Sequence, residues 1–270
     1  MKNVSKDAFT VLDKKKPQEI TSFAHNDEPL SLGILLDVSG SIRSPNKNLP
    51  VIMKENVWRF VQQSHPSNEY FMMAFAEQPR LLVDWTRAPG QIEQALSKLI
   101  VPDRGTTAFY DACISAIEKI GQGSNQKRIL LVVTDGQDTI SKQTLKSLRE
   151  LLKRSEVVVY FIYTGDEFND SHAGFSKILV KDLSSITGGA AYDALSKTEM
   201  SKVFELLAIE LRSQYRIGYR PANYVADGKW RRVKVIVNAI EVEDTSKPAR
   251  PRKKMELAGR TREGYYAAKQ

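Results

Sequence analysis

The sequence is poor in cysteine and histidine and has no long apolar run. Cys113 is the only cysteine among 270 residues, which excludes an intrachain disulfide framework and a thiolate metal cluster and leaves the redox compartment open. It falls in the stripe Phe109, Ala112, Cys113, Ala116, Ile117 and Ile120, spaced as the buried face of a helix, so it reads as a core thiol and not a nucleophile. The longest apolar stretch, residues 157–163, is strand-sized and far short of the roughly 20 residues that cross a bilayer, so no transmembrane segment is expected. No apolar stretch follows Lys2, so the start is not an intact secretory signal. Acidic groups are also scarce in one region. Residues 212–270 hold 15 of the 40 basic and 6 of the 32 acidic groups, which accounts for the whole net charge of +8. With no nucleic-acid module beside it, this tail reads as a solvated basic surface and not as a nucleic-acid contact; an acidic polymer or anionic surface is the alternative partner.

What is present is a regular alternation. Apolar runs at 30–36, 70–76, 129–134 and 157–163 are nearly continuous, as strands covered on both faces must be. Helical periodicity occupies 51–63, 91–99, 108–120, 144–153 and 200–211, with Met200, Phe204, Leu207 and Leu211 forming one stripe. The pattern predicts an α/β fold with a central, mostly parallel sheet flanked by helices, and residues 80–85, after a turn-like break, as an antiparallel edge strand. The ends differ: 9–20 reads as strand, charged turn and strand, and 215–219 and 231–237 alternate with period two. The expected organisation is an N-terminal β extension over 1–29, an α/β domain over 30–211 and a C-terminal β extension over 212–270. The two extensions would form a small β subdomain, with 222–228 as a hairpin loop and 241–254 as a mobile charged excursion.

Chemistry concentrates where core strands end. Asp37, Ser39 and Ser41 follow the first run, Asp135 and Gly136 follow the third, and Thr106 and Thr107 precede the helix near Ala108. In open α/β sheets, ligands bind beyond the carboxyl ends of the strands, so these oxygens can converge. Aspartate and hydroxyl oxygens are hard donors that suit Mg²⁺ or Mn²⁺ better than zinc or copper, with Ca²⁺ a further substitute. With few charged protein ligands, such an ion keeps open positions for a carboxylate from another molecule. The bland reading of each part alone is a cap or turn residue.

Asp37-x-Ser39-x-Ser41, then Thr107, then Asp135 resemble in order and spacing the metal-ion-dependent adhesion site of von Willebrand factor A domains. The resemblance implies a Rossmann-like fold, with Ser39, Ser41 and Thr107 coordinating the ion, Asp37 and Asp135 binding it directly or through water, and an acidic side chain of a protein partner completing the shell. Within that family the ligand threonine sits just before a segment like 108–113, which selects Thr107 over Thr106. The flanks 4–23, 214–237 and 259–266 look like the extensions of a bacterial, Acidobacteria-type family of such domains, whose members are often exported. No small-molecule substrate and no enzymatic activity are expected. An aspartate-nucleophile phosphotransferase would have an acid where Ser39 stands, a serine hydrolase would have a glycine two positions before its nucleophile, and His25, His65 and His172 lie in loop-like contexts. The alternative from another class is a scaffold that the ion merely stabilises.

Overall fold

The computed structural model describes residues 4–25, 27–43, 48–102, 105–165, 173–222, 224–238, 240–243, 252–255 and 259–269. These fall into two compact units: Asp27–Arg212, and Met1–Asn26 together with Ser213–Gln270.

In chain order the second unit contributes β1 (Phe9–Asp13), β2 (Lys16–Gln18) and β3 (Ile20–Ala24) before the chain enters the α/β unit. That unit runs β4 (Leu30–Asp37), α1 (Leu49–Gln62), β5 (Glu69–Phe75), β6 (Pro79–Thr86), α2 (Pro89–Lys98), α3 (Phe109–Ile120), β7 (Lys127–Thr134), α4 (Leu145–Arg154), β8 (Val158–Tyr163), α5 (Ala173–Thr187), β9 (Ala191–Asp193) and α6 (Lys197–Arg212). The chain then returns for β10 (Arg216–Tyr219), β11 (Trp230–Val237), β12 (Ile240–Glu243), β13 (Arg252–Met255) and β14 (Gly264–Tyr266).

The large sheet has the order β6-β5-β4-β7-β8-β9; every pairing is parallel except that of the edge strand β6 with β5. β4 and β5 are buried from end to end and β7 along all but its first two residues, which explains their unbroken apolar runs. Alternate residues feed two cores. Leu32, Ile34 and Leu36 of β4 pack with α1, α2 and α6, while Leu35 of β4 packs with α3, α4 and α5. The predicted α/β architecture and the antiparallel edge strand are therefore observed. Two elements of this unit escaped the sequence reading. β9 is a three-residue strand without an apolar run. In α5 the buried Leu179, Val180, Leu183 and Ile186 form a proper stripe, but the exposed Phe175 and Ile178 blur its edge.

Gly33 is needed in β4 because Phe71 of β5 occupies the space beside it: a Cβ would lie 2.5 Å from Phe71 Cζ and 3.0 Å from Leu130 Cδ1. Gly33→Ala is expected to overpack this centre and cost about 2 kcal/mol, a fall of roughly 5 °C in Tm by thermal melt.

In the unit made from the chain ends, β14-β11-β1-β2 form one antiparallel sheet, β10-β3 a ladder and β12-β13 another. The charged turn falls at Lys14 and Lys15, both left-handed at φ 49° and 67°, joining strands in which Asp13 faces Lys16. This is a two-residue turn of the kind that matches strand twist. Asp13 is buried and accepts from the phenols of Tyr219 (3.0 Å) and Tyr265 (2.9 Å), fastening β1 to β10 and β14. Burial and then the bond to Asp13 raise both phenols, Tyr265 to about 12. Two expectations are corrected. Residues 222–228 do not close a hairpin, because β10 pairs with β3 while β11 pairs with β1 and β14; β3 and β1 come from the other end of the chain. The expected mobile excursion holds the paired strands β12 and β13 at its two ends; its residues 244–251 lie outside the described residues.

Candidate metal centre

From β4 the chain crosses to β5 on one side, while β7 lies on the other, so the order of the sheet reverses at β4. Such a switch point opens a crevice at the carboxyl ends of the strands. Asp37 ends β4, one residue after Leu36, which pairs with Val133 of β7; Asp135 follows two residues after Val133. Asp37, Ser39, Thr107 and Asp135 are buried, with Asp37 and Ser39 at 0% exposure, and Ser41 is half-buried. Thr106, the alternative to Thr107, is exposed.

The side chains of the first motif touch. Asp37 Oδ1 accepts from Ser39 N (2.9 Å) and Ser39 Oγ (2.6 Å), and Ser39 Oγ lies 3.0 Å from Ser41 Oγ. Asp37 Oδ2 accepts from Thr134 Oγ1 at 2.7 Å, and Thr134 Oγ1 in turn accepts from Gly136 N at 2.9 Å. Asp135 Oδ1 accepts from Gln137 N at 3.1 Å. Gly136 turns the chain at φ +71°, and a Cβ there would also crowd Val180 Cγ1 at 3.1 Å, so glycine is required twice over. Burial first, then the negative charge of Asp135, push the Asp37 carboxyl up from the usual 3.8 to about 7, against the hydrogen bonds from Ser39 and Thr134. Two acids are thus held out of water near each other at the crevice.

Thr107 enters from another segment. Ala108 N donates to Ala76 O just past β5 (2.7 Å), and the Thr107 main chain bonds to Thr139 in the loop that follows Asp135. Sequence reading missed Thr134, whose hydroxyl orients Asp37, and Thr139; the only available signal for each was a hydroxyl next to or shortly after the strand-end acid. Cys113 is buried, and burial followed by the charges of Asp37 and Asp138 raises its thiol well above its usual range, so it stays protonated. His65 lies in the α1–β5 loop at the opposite, amino end of the strands, His25 belongs to the other unit, and His172 lies outside the described residues.

Among the described residues no three His, Cys, Asp or Glu side chains group as metal ligands. The candidate set has a different chemistry, two carboxylates and three hydroxyls, and its all-oxygen donors fit a hard divalent cation. The mutual repulsion felt at Asp37 is of the kind a bound cation relieves.

Fold and site together define a doubly wound α/β domain with two acids and neighbouring hydroxyls at the carboxyl ends of its central strands. Residues 32–137, all within the α/β unit, match the family model of the von Willebrand factor type A domain. Solved structures of similar fold include a von Willebrand factor type A protein from Catenulispora acidiphila (13% identity, TM-score 0.55, covering 74% of this chain and 52% of that one). Others are proximal thread matrix protein 1 from the mussel byssus (18%, TM-score 0.56, 74% and 50%) and a D319A mutant of the PilB minor pilin from Streptococcus sanguinis (11%, TM-score 0.55, 68% and 61%). The match thus spans about half to three fifths of the length of these chains, and at such identities the likeness is one of fold. No curated protein matches in sequence. No helix among the described residues is long and apolar enough to cross a membrane.

Proposed function

We propose that this domain binds a divalent cation, Mg²⁺ in the first place, through Asp37, Ser39, Ser41, Thr107 and Asp135, and uses it to hold a carboxylate of a protein partner. Von Willebrand factor A domains often mediate protein–protein interaction, and the five residues follow the adhesion-site motif in order. The observation that supports the reading best is the pair of buried carboxylates at the switch point, with Asp37 pushed up to about 7 by burial and by Asp135. Such an arrangement is unfavourable for a protein without a cation and useful for one with it. When bound, the ion supplies positive charge between the acids and an open position for an incoming carboxylate. Ser39, Ser41 and Thr107 contribute neutral oxygens, so the protein adds only two negative charges and leaves the ion attractive to a third. Asp37 is aimed by Thr134 and Ser39, and Gly136 lets the chain turn directly after Asp135. On this reading the domain acts as a binder.

Calorimetric titration of metal-stripped protein with Mg²⁺ and Mn²⁺ is expected to show one saturable site. That site should be lost in Asp37→Ala and in Asp135→Ala while far-UV circular dichroism stays unchanged. Metal binding retained by both variants removes the assignment. Panning a peptide library in Mg²⁺ and again in EDTA then addresses the partner: acidic peptides should enrich only with Mg²⁺. Metal binding without such enrichment leaves a metal-stabilised scaffold.

A further inference from the structure

The five proposed ligands come from three separate segments, and Thr107 is the one supplied by the loop between α2 and α3. What holds it is a short loop. Thr107 N donates to Thr139 Oγ1 (2.8 Å), Thr139 Oγ1 donates back to Thr107 O (3.3 Å), and Thr139 N (2.8 Å) and Ile140 N (3.2 Å) donate to the same carbonyl. Both main-chain polar groups of Thr107 are thus satisfied by the segment that begins four residues after Asp135. That segment is pinned to the start of α3 in turn. Asp138 Oδ1 accepts from Tyr110 N (3.1 Å) and from Ser141 Oγ, Ser141 Oγ accepts from Asp111 N (3.1 Å), and the Asp111 carboxylate accepts from Lys142 N (3.0 Å) and Gln143 N (2.8 Å). The result is a reciprocal clasp in which each segment caps the other.

We propose that Thr139 is the positioning residue of the metal centre, its hydroxyl fixing the Thr107 main chain so that the Thr107 and Asp135 oxygens meet one ion. The inference rests on the function proposed above. Its physical content is geometric. Asp135 directly follows the end of β7, whereas Thr107 lies in the loop before α3, and the Thr139 hydroxyl is the one side-chain group among the described residues that bonds the Thr107 main chain. Partners of this sort orient ligands without touching the ion, and their loss typically weakens metal binding 10- to 100-fold. The penalty depends on the ion, because Mg²⁺ demands a near-ideal octahedron while Ca²⁺ tolerates irregular shells.

The test compares wild type, Thr139→Val, Thr139→Ser and Thr107→Val, each titrated with Mg²⁺ and with Ca²⁺ and melted in EDTA. Thr139 is exposed, so removing its hydroxyl empties no core space. Thr139→Val is expected to weaken Mg²⁺ roughly 10- to 100-fold and Ca²⁺ less, to lower the Mg²⁺/Ca²⁺ affinity ratio, and to leave the metal-free melting temperature within a few degrees. Thr139→Ser should bind as wild type. Equal Mg²⁺ affinity in Thr139→Val and wild type, with binding weakened in Thr107→Val, overturns this inference and leaves the proposed function standing. So does an equal loss for both ions accompanied by a lower metal-free melting temperature, which marks a merely structural bond. A wild type that binds neither ion removes both.

Discussion

Asp37→Asn is expected to make the metal-free protein more stable at pH 8 while abolishing the stabilisation that Mg²⁺ gives the wild type. In the folded state, burial and Asp135 raise the Asp37 carboxyl from 3.8 to about 7. A group whose pKa rises on folding contributes stability that is fully present below about pH 4 and is lost as the pH climbs to about 7. Above that, the fold must hold an ionised carboxylate away from water beside a second acid, at a cost of at most about 4 kcal/mol. Asparagine keeps the shape and stays neutral: its carbonyl oxygen can accept from Ser39, and its amide can donate to Thr134 Oγ1, which already accepts from Gly136 N. Melts in EDTA from pH 4 to 8.5 should show the wild type losing stability across pH 4–7 and Asp37→Asn lacking that loss. With Mg²⁺ at a hundred times its Kd, the wild type should regain about 2.7 kcal/mol and the variant nothing. A wild type as stable as the variant at pH 8 in EDTA, or a variant still stabilised by Mg²⁺, would contradict this account. Residues kept at the expense of stability are expected where function needs them.

The candidate site was legible because its residues sit at strand ends. Asp37 and Asp135 each close an unbroken apolar run, so their position at the sheet edge followed from periodicity. That β4 and β7 are adjacent followed only from topology, since more than ninety residues separate the acids. Thr134 and Thr139 were hidden for a different reason. Their importance lies in which groups their hydroxyls meet across the crevice, and a threonine beside an acid has no distinguishing local signal.

The fold was legible to a similar depth. Strands buried on both faces announce themselves by composition, and the helices by their stripes. Failures came where burial is partial. α5 exposes Phe175 and Ile178 beside its buried stripe, and β9 pairs over only three residues. In the chain-end unit the alternation of β11 was visible, but its partners β1 and β14 lie at opposite ends of the sequence. A hairpin with β10 was the natural but mistaken local choice.

The amino ends of the strands show the contrasting use of a buried acid, and Glu69→Ala is expected to destabilise the protein by about 3 kcal/mol without changing its metal affinity. Glu69 faces Ser31 across β4 and β5 and is buried. Its Oε1 accepts from Ser31 Oγ (2.6 Å) and Ser124 N, its Oε2 accepts from Ser124 Oγ (2.8 Å), and Ser31 Oγ also accepts from Asn125 N (3.1 Å). The carboxylate therefore ties two strands to the loop after α3. Burial pushes its pKa up, but the hydrogen bonds from Ser31, Ser124 and Asn125 outweigh that and leave it below 4.5. The sign is opposite to that of Asp37: this stability is present above about pH 4.5 and lost on acidification. The gap between wild type and Glu69→Ala, read from urea unfolding, should be full at pH 7 and shrink towards pH 3. Asp37 stands six residues along β4 from Ser31, roughly 20 Å away, too far for direct coupling. In the Asp37→Asn/Glu69→Ala double variant, the gain from the first change and the loss from the second should therefore add to within about 0.5 kcal/mol at pH 8. A larger deviation would mean that the two ends of β4 share one network; additivity would mean that the acid at one end secures the fold and the pair at the other is free to be spent on binding.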